Sequence, residues 1–286
     1  MSHSIKELGV LVGYRCNFKC AHCCTGHNRS QRLASDEKLA VISAINRYTP
    51  RTILFMGGET TLYTEDINEI LSASRDLSGS TIKITTNGHF ARTVASAVNV
   101  LKSFVKLDCV QLSYDRFHAE FLPFKNVENL YLASKELGLR FCVINTIDSP
   151  LELVGLKKFW PIGNFKVLVN KAIPAGEAAR NGIEYVYPSF DSSVLKRYCP
   201  GREKLLYVCG RGFSACCSKL IFDTDLPLAH TSIYRHKRSR IYRLISKFTL
   251  GQLLKKSGLP ADQLPPRFSA ECVLCEYLFT KSKLLS

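Results

Sequence analysis

Short apolar runs alternate with amphipathic segments through the first two thirds of this chain, and that order restricts the folds open to it. The six strand-like runs span residues 8–14, 52–57, 80–86, 109–114, 140–147 and 164–170. Amphipathic segments at helical spacing lie between them, near residues 35–47, 64–76, 91–104, 126–138 and 150–159. Strands that alternate with helices predict an α/β fold with a parallel sheet. Runs this short are also compatible with buried helix, because periodicity alone does not separate the two.

The composition is that of an ordinary globular chain with many thiols. The chain has 286 residues, of which 46% are apolar and 22% are charged. No apolar run approaches the length of about 18 residues that suggests a membrane span. The N-terminus does not have the pattern of a secretion signal. We therefore expect a cytoplasmic protein, whose twelve reduced cysteines serve metal binding or catalysis rather than disulfides.

Three of those cysteines, Cys16, Cys20 and Cys23, follow the first predicted strand at a C-x3-C-x2-C spacing. Three thiolates on a short loop can hold three irons of a [4Fe–4S] cluster and leave the fourth iron open to a small molecule. A structural zinc ion instead requires four protein ligands, and His22 or Cys24 can supply the fourth. Taken alone, the loop favours the cluster without excluding zinc.

Together with a Gly-Gly-Glu stretch at residues 57–59, this cysteine motif resembles the radical SAM superfamily. The resemblance implies a partial (β/α)6 barrel of the TIM type, in which the three thiolates hold a [4Fe–4S] cluster. It implies that S-adenosylmethionine chelates the open iron, with Gly57, Gly58 and Glu59 at its methionyl amino group. Cys24 is expected to be buried or to lie behind the cluster ligands.

Polar residues at the ends of later strands are further candidates for the cofactor site. Asn87 follows the third run, Ser113 and Asp115 follow the fourth, and Asn145 lies near the end of the fifth. Ligand sites of parallel barrels gather at the carboxyl ends of the strands. We therefore expect Ser113, Asp115 and Asn145 near the ribose and carboxylate of the cofactor. In the alternative interpretation, Asn87 belongs to a turn and Asp115 caps a helix.

Four of the later cysteines can close a second [4Fe–4S] cluster that has no open iron. They are Cys199, Cys216, Cys272 and Cys275. This set resembles the twitch extension of some radical SAM enzymes, and a zinc ion held by four thiolates is the alternative. The prediction is a radical SAM barrel over residues 1–188 and a twitch-like auxiliary-cluster domain over residues 189–286. Cys109 and Cys142 lie in predicted strands and are expected to be buried, whereas the role of Cys209 stays open.

The adjacent pair Cys216 and Cys217 needs a separate interpretation. Neighbouring residues in an extended segment point to opposite sides, so only one of the two is expected to bind the cluster. The stretches RCNFKCAHCC, LSYDRFHAEF, YCPG before ACC, and FSAECVLC resemble radical SAM peptide epimerases. In that family the second cysteine of the pair donates hydrogen, which implies Cys216 as ligand and Cys217 as catalytic donor. If Cys217 is the ligand, the donor is Cys216 or no residue.

The resemblance also implies a reaction. The enzyme would cleave S-adenosylmethionine to a 5′-deoxyadenosyl radical, abstract a hydrogen atom from a ribosomally made peptide, and invert L-residues to D-residues. The electron would come from a donor such as a flavodoxin or ferredoxin. The alternatives are a twitch-type dehydrogenase or epimerase of an aminocyclitol or sugar, and a peptide cross-linking enzyme.

The net charge of +15 is concentrated in one block. No Asp or Glu occurs from Leu226 to Ala261, while eight Lys and Arg residues lie between positions 235 and 256. Such a block predicts an acidic partner, and an acidic part of the precursor peptide suits it. A solvated helix face is the alternative. A more remote alternative is a basic nucleic-acid-binding protein whose metal clusters only stabilise its fold. This alternative leaves the Gly-Gly-Glu stretch unexplained.

Overall fold

The computed structural model of the chain describes residues 5–26, 30–260 and 264–285. Within them one sheet contains eight strands: β1 Glu7–Leu11, β2 Thr52–Met56, β3 Thr81–Thr86, β4 Cys109–Ser113, β5 Arg140–Ile147, β6 Lys166–Lys171, β7 Lys204–Val208 and β8 Gly212–Ser214. Strands β1 to β6 correspond to the six runs read from the sequence. The predicted α/β fold class is therefore confirmed.

The sheet runs in the order β6-β5-β4-β3-β2-β1-β7-β8. Every neighbouring pair from β6 to β7 is parallel, and β8 alone runs antiparallel to its neighbour. Parallel strands joined by helical segments have the arrangement of a partial TIM-type barrel. The sheet is not closed, since β6 and β8 each have one neighbouring strand within the described ranges.

Two strands lie in the C-terminal region, where the sequence analysis placed none. β7 pairs in parallel with β1, from Glu7 opposite Lys204 to Leu11 opposite Val208, and four of its five residues are buried. Its apolar run is too short to stand out in the sequence. The open edge of β1 supplies the partner that makes it a strand. The sheet therefore extends beyond residue 188 into the region predicted as twitch-like.

The helices alternate with the strands as expected. The α-helices of the described residues are α1 Ser35–Tyr48, α2 Thr64–Ala73, α3 Val94–Lys102, α4 Arg116–Ala119, α5 Lys125–Glu136, α6 Glu177–Arg180, α7 Lys219–Asp223, α8 Ile233–Arg238, α9 Arg240–Lys247, α10 Leu250–Ser257 and α11 Glu271–Lys281. Short 3-10 helices span Thr60–Tyr63, Pro150–Phe159, Ser192–Lys196, Pro200–Glu203 and Pro266–Ser269. Among all these described helices, none is both long and apolar enough to cross a membrane.

Four of the five predicted amphipathic segments are the α-helices α1, α2, α3 and α5. The fifth segment, Pro150–Phe159, is a 3-10 helix, and Phe159 is its one buried residue. Leu151 is 82% exposed and Val154 is 67% exposed. Most of the stability of a helix in a protein comes from packing its apolar face, and this segment packs little of its own.

The core lies between the strands and the helices that cover them. Alternate residues of the central strands are fully buried, such as Ile53 and Phe55 on β2 and Ile82 and Ile84 on β3. Parallel pairing brings the carboxyl ends of these strands to one edge of the sheet. The loops that leave this edge form the candidate site.

Candidate active site

The loop after β1 carries Cys16, Cys20 and Cys23 into a cavity of about 630 Å³ at the carboxyl ends of the strands. A cavity of this size suits a small-molecule ligand. Burial raises the pKa of Cys16 and of Cys20, and repulsion from the neighbouring thiols raises both further. The three cysteines predicted to bind a cluster therefore line the same cavity.

Hydrogen-bond donors face the sulfur of Cys16, and a hydroxyl group lies beside the sulfur of Cys23. The backbone N–H of Phe18 donates to Cys16 Sγ at 3.4 Å, and Asn87 Nδ2 donates to the same sulfur at 3.6 Å. Cys23 Sγ lies 3.4 Å from Thr25 Oγ1. Hydrogen bonds to sulfur favour the thiolate form, which is the form that binds metal.

The ring of His22, between Cys20 and Cys23, is mostly buried between an aromatic and an acidic neighbour. It stacks on Phe117 with a centroid distance of 4.4 Å, and its Nε2 atom lies 3.4 Å from Asp115 Oδ2. The Nδ1 atom is buried and has no hydrogen-bond partner among the described residues. Buried polar atoms are nearly always paired in folded proteins. An orphaned nitrogen in a cavity lined by three cysteines therefore fits a polar group bound there, as an iron–sulfur cluster with S-adenosylmethionine would be.

The Gly-Gly-Glu stretch lies against the stem of the cysteine loop. Gly58 N donates to Gly13 O at 2.9 Å, and Glu59 N donates to Arg15 O at 2.8 Å. A Cβ atom on Gly58 would lie closer than 3.0 Å to the backbone oxygens of Arg15 and Tyr14. Glycine is therefore required at this position by the close approach of two backbones.

Glu59 is turned away from the cavity and is 1% exposed, whereas the two glycines before it line the wall. Its carboxylate accepts hydrogen bonds from Thr61 N at 3.1 Å, Thr61 Oγ1 at 2.7 Å, Thr86 Oγ1 at 2.6 Å and Asn87 N at 2.8 Å. The carboxylate thus joins the end of β2 to the end of β3. It also holds the backbone of Asn87 at the cavity.

The other strand-end candidates divide into two groups. Asn87 and Ser113 line the cavity. Asn145 is 5% exposed and donates from Nδ2 to Tyr114 O at 2.8 Å, so its amide lies behind the wall. Contact of these side chains with S-adenosylmethionine stays a prediction.

Asp115 is also behind the wall, where it caps helix α4. Its Oδ1 atom accepts from Phe117 N and His118 N at 3.0 Å each, and His118 Nδ1 lies 2.9 Å from the same oxygen. Burial raises the pKa of Asp115, but hydrogen bonds from His118 and His22 outweigh it and hold the pKa well below its usual range. The carboxylate is therefore charged and fixes both imidazoles, and the helix-cap interpretation describes its contacts.

Sequence reasoning missed several residues of the cavity wall, among them Thr85, Thr146 and His118. The signal was present, because each lies at or just after the end of a strand. His118, His22 and Cys20 offer ligand atoms within 4.8 Å of one another. This possible ion site differs from the predicted three-thiol set, and Asp115 already engages both of its histidines.

Four thiols of the C-terminal region form a second group. Cys199 precedes the 3-10 helix Pro200–Glu203, Cys216 follows β8, and Cys272 and Cys275 lie one turn apart on α11. Burial raises the pKa of all four, to about 11 for Cys199 and Cys272 and about 12 for Cys216. Repulsion between the thiols adds to this for every pair in the group.

The spacing of this second group bears on the zinc alternative. In the part of the chain that the structure describes, no three of the four sulfurs lie within 4.8 Å of one another. A zinc ion with Zn–S bonds of about 2.3 Å needs its tetrahedral sulfurs about 3.8 Å apart. The thiols as placed are therefore farther apart than the four sulfurs of a bound zinc ion, as are those of Cys16, Cys20 and Cys23.

Cys217 and Cys24 lie between the two thiol groups, and both are exposed. The pKa of Cys217 is raised to about 12, mainly by desolvation and to a lesser extent by the neighbouring thiols of Cys216 and Cys199. The pKa of Cys24 is also raised to about 12, mainly by desolvation and to a lesser extent by the thiols of Cys23 and Cys217. Both thiols therefore keep their protons at neutral pH.

Cys24 is exposed rather than buried, and it lines the cavity; its expected place behind the cluster ligands stays a prediction. Gly176, at φ +57, lies close to the carbonyl oxygens of Cys23 and Cys24, where a Cβ atom would overlap both. This contact covers the backbone of the loop and leaves the Cys24 thiol open. The expectation for Cys109 and Cys142 is confirmed, since both are buried, and Cys209, at 1% exposure, belongs to the core.

A pair of histidines, of which His236 is buried, supports the segment that leads into Cys216. Ala215 N donates to His236 Nε2 at 2.9 Å, and His236 Nδ1 lies 3.2 Å from His230 Nδ1. His230 also exchanges both backbone hydrogen bonds with Phe213 on β8. The basic helix α8 thereby fixes the backbone just before the adjacent cysteine pair.

This fold and cavity define a class of enzyme, in which a partial barrel presents three cluster thiols and a glycine-lined wall. Residues 10–137 match the radical SAM superfamily. Within these residues the chain carries a radical SAM domain. The cluster and S-adenosylmethionine expected from the cysteine motif are the cofactors that this domain implies.

Three similar proteins show how far the likeness extends. YydG of Bacillus subtilis (strain 168), which is named for peptide biosynthesis, is 21% identical over 306 residues, covering 98% of this chain and 94% of YydG. A Sulfolobus acidocaldarius protein named for GTP 3′,8-cyclase activity is 26% identical over 166 residues, covering 54% of this chain and 51% of that protein. A solved structure of anSMEcpe with bound AdoMet and Cp18Cys peptide has a TM-score of 0.51 at 13% identity, covering 96% and 95% of the two chains. At that identity the structure supports the fold alone.

Gly58→Ala should lower the free energy of unfolding by roughly 2 kcal/mol or more, because the overlapping atoms are backbone oxygens that cannot rotate away. Gly79→Ala is the matched control, since no atom lies within 4 Å of the added methyl group. Urea unfolding of both variants checks the prediction. Equal midpoints would show that the close approach of the two strands is not tight.

The buried His236 predicts a pH dependence of stability. The pKa of His236 is lowered to about 4, mainly by burial and to a lesser extent by the nearby charges of His230 and Lys237. The unfolded chain takes up a proton below about pH 6.5, whereas the folded chain does not until about pH 4. Stability should therefore fall by roughly 2 kcal/mol as the pH drops through this window.

His236→Gln retains an acceptor for Ala215 and should flatten that dependence. Urea unfolding of cluster-free protein between pH 7 and pH 4 measures it. A variant with the slope of the original protein would assign the dependence to other groups.

Proposed function

We propose that this radical SAM enzyme acts on a ribosomally made peptide and inverts the configuration of residues within it. The similarity to YydG over almost the whole of both chains supports a peptide substrate. The observation that carries the inversion is the thiol of Cys217, which is exposed and directly follows Cys216 of the second thiol group.

The residues present fit the cofactors of the superfamily. Cys16, Cys20 and Cys23 would hold a [4Fe–4S] cluster, and the glycine wall at residues 57–58 would face S-adenosylmethionine. When bound, the cluster and S-adenosylmethionine supply a 5′-deoxyadenosyl radical that removes a hydrogen atom from an unactivated carbon. Asn87, held by Glu59, keeps its amide against Cys16 Sγ and stabilises the thiolate form.

The second thiol group would hold an auxiliary [4Fe–4S] cluster. The four half-buried thiols come from separate segments of the chain and lie close enough to raise one another's pKa, as the ligands of one metal centre would. The ligands would be Cys199, Cys216, Cys272 and Cys275, leaving Cys217 free. Residues 189–286 would then form a twitch-like unit, with β7 and β8 joining it to the barrel.

The inversion step uses the exposed thiol of Cys217. A hydrogen-atom donor must carry its hydrogen, and a cysteine thiol, with an ordinary pKa of about 8.5, does so at neutral pH. Its S–H bond breaks and a C–H bond forms on the substrate carbon, on the face opposite to the abstraction. The thiyl group left on Cys217 then needs one electron and one proton from an external reductant such as a flavodoxin or ferredoxin.

The basic segment at 235–256 would hold an acidic part of the precursor peptide. It lies outside the cavity wall, so any contact with substrate is remote from the reacting carbon. Helix α9 packs against the 3-10 helix that follows Cys199. A ligand bound on this segment would therefore lie close to the second thiol group.

Iron and labile sulfide analysis after anaerobic reconstitution tests the cluster assignments. We expect about eight irons per chain, falling to about four in a Cys16→Ala/Cys20→Ala/Cys23→Ala variant. Changing Cys199, Cys216, Cys272 and Cys275 to Ala should also leave about four. About four irons in the original chain and none in the first variant would remove the auxiliary cluster.

Labelling in deuterated water tests the inversion and its donor. An exchangeable thiol adds one deuterium per event, so the peptide should gain one mass unit for each inverted residue. Cys217→Ala should still form 5′-deoxyadenosine but incorporate no deuterium, whereas Cys24→Ala should retain incorporation. Loss of incorporation in Cys24→Ala alone would assign the donor to Cys24. A loss of two hydrogens from the peptide would instead indicate oxidation or cross-linking.

A further inference from the structure

Strand β6 differs from the other parallel strands in its exposure. It is the terminal strand of the sheet and pairs with β5 on one side only in the described part of the chain. Five of its six residues are exposed, whereas four of the five residues of β1 are buried. One edge of β6 therefore presents backbone N–H and C=O groups that no described residue pairs.

Two of the exposed side chains of β6 are apolar. Leu168 is 43% exposed and Val169 is 40% exposed. Because consecutive strand residues point to opposite faces, both faces of β6 are apolar and open. In the connection that precedes it, Trp160 is 74% exposed. Folded proteins usually cover or charge such an edge, since it pairs readily with another extended chain.

The same strand leads into the active site. Val169, Asn170 and Lys171 line the cavity, and so do Ala172 and Ile173 directly after the strand. A chain that paired along β6 would therefore run from the outer surface to the cavity wall.

The positive charge of this region favours an acidic partner. From Leu153 to Gly176 the sequence contains four lysines and no Asp or Glu. Two of the lysines, Lys166 and Lys171, are the first and last residues of β6, and both are exposed. An extended segment with both apolar and acidic side chains complements this edge.

We propose that the free edge of β6 binds an extended, acidic segment of the substrate peptide as an additional strand of the sheet. The inference rests on the proposed peptide substrate and adds where and how that peptide is held. Backbone hydrogen bonds supply affinity without regard to side chains, and alternate side chains contact the apolar faces of β6. The residues that follow the bound segment then enter the cavity.

A backbone-blocked probe tests this mode of binding. The probe is a fluorescent ten-residue peptide of alternating Val and Glu, prepared unmodified, N-methylated on alternate residues, and N-methylated on every residue. Alternate methylation leaves one edge of the peptide free and should change the affinity less than about threefold, whereas full methylation should weaken it at least about tenfold. Equal binding of the unmodified and fully methylated peptides would overturn the proposal.

Photocrosslinking locates the probe on the enzyme. Leu168→p-benzoylphenylalanine should crosslink the unmodified peptide, and excess fully methylated peptide should not suppress the reaction. Leu39→p-benzoylphenylalanine is the matched control, because Leu39 is 65% exposed on α1 and lies on no strand edge. Equal crosslinking at both positions would overturn the β6 site.

These outcomes separate this inference from the proposed function. Inversion of a peptide whose binding is insensitive to full N-methylation would overturn edge pairing and leave the activity standing. Edge pairing without deuterium incorporation would overturn the inversion and leave the docking mode standing.

Discussion

Two backbone hydrogen bonds between the ends of β1 and β2 hold the candidate site together. Gly58 donates to Gly13 and Glu59 donates to Arg15, so the strand ends approach more closely than any side chain would permit. The cysteine loop begins at this contact, and the buried carboxylate of Glu59 extends it to β3. The position of the three thiols is thus set by the contacts between the stem of their loop and the sheet.

A second set of contacts holds that loop from segments that come later in the chain. Glu177 N donates to Cys23 O at 2.8 Å, and Gly176 N lies 3.1 Å from Asp223 Oδ2. The first contact ties the loop after β6 to the cysteine loop, and the second ties it to helix α7. The two thiol groups therefore share one scaffold, in which Cys24 and Cys217 lie between them.

Much of this arrangement could be predicted from the sequence, because it depends on local patterns. The six strands follow from apolar runs, and the cysteine loop and Gly-Gly-Glu stretch follow from spacing. What could not be predicted depends on distant partners. β7 is a strand because β1 has an open edge, and the backbone of Cys23 and Cys24 lies against Gly176, which is far away along the chain. Asp115 and Asn145 lie at strand ends as expected, but local register turns both side chains behind the cavity wall.

The pairing of β1 with β7 also sets an order of assembly. Glu7 lies opposite Lys204, so these partners are separated by about 200 residues of chain. During synthesis β1 can pair with β2 early, yet its other edge stays open until β7 has left the ribosome. Contacts between such distant segments form slowly. The stem of the cysteine loop is therefore completed late, after most of the barrel has been made.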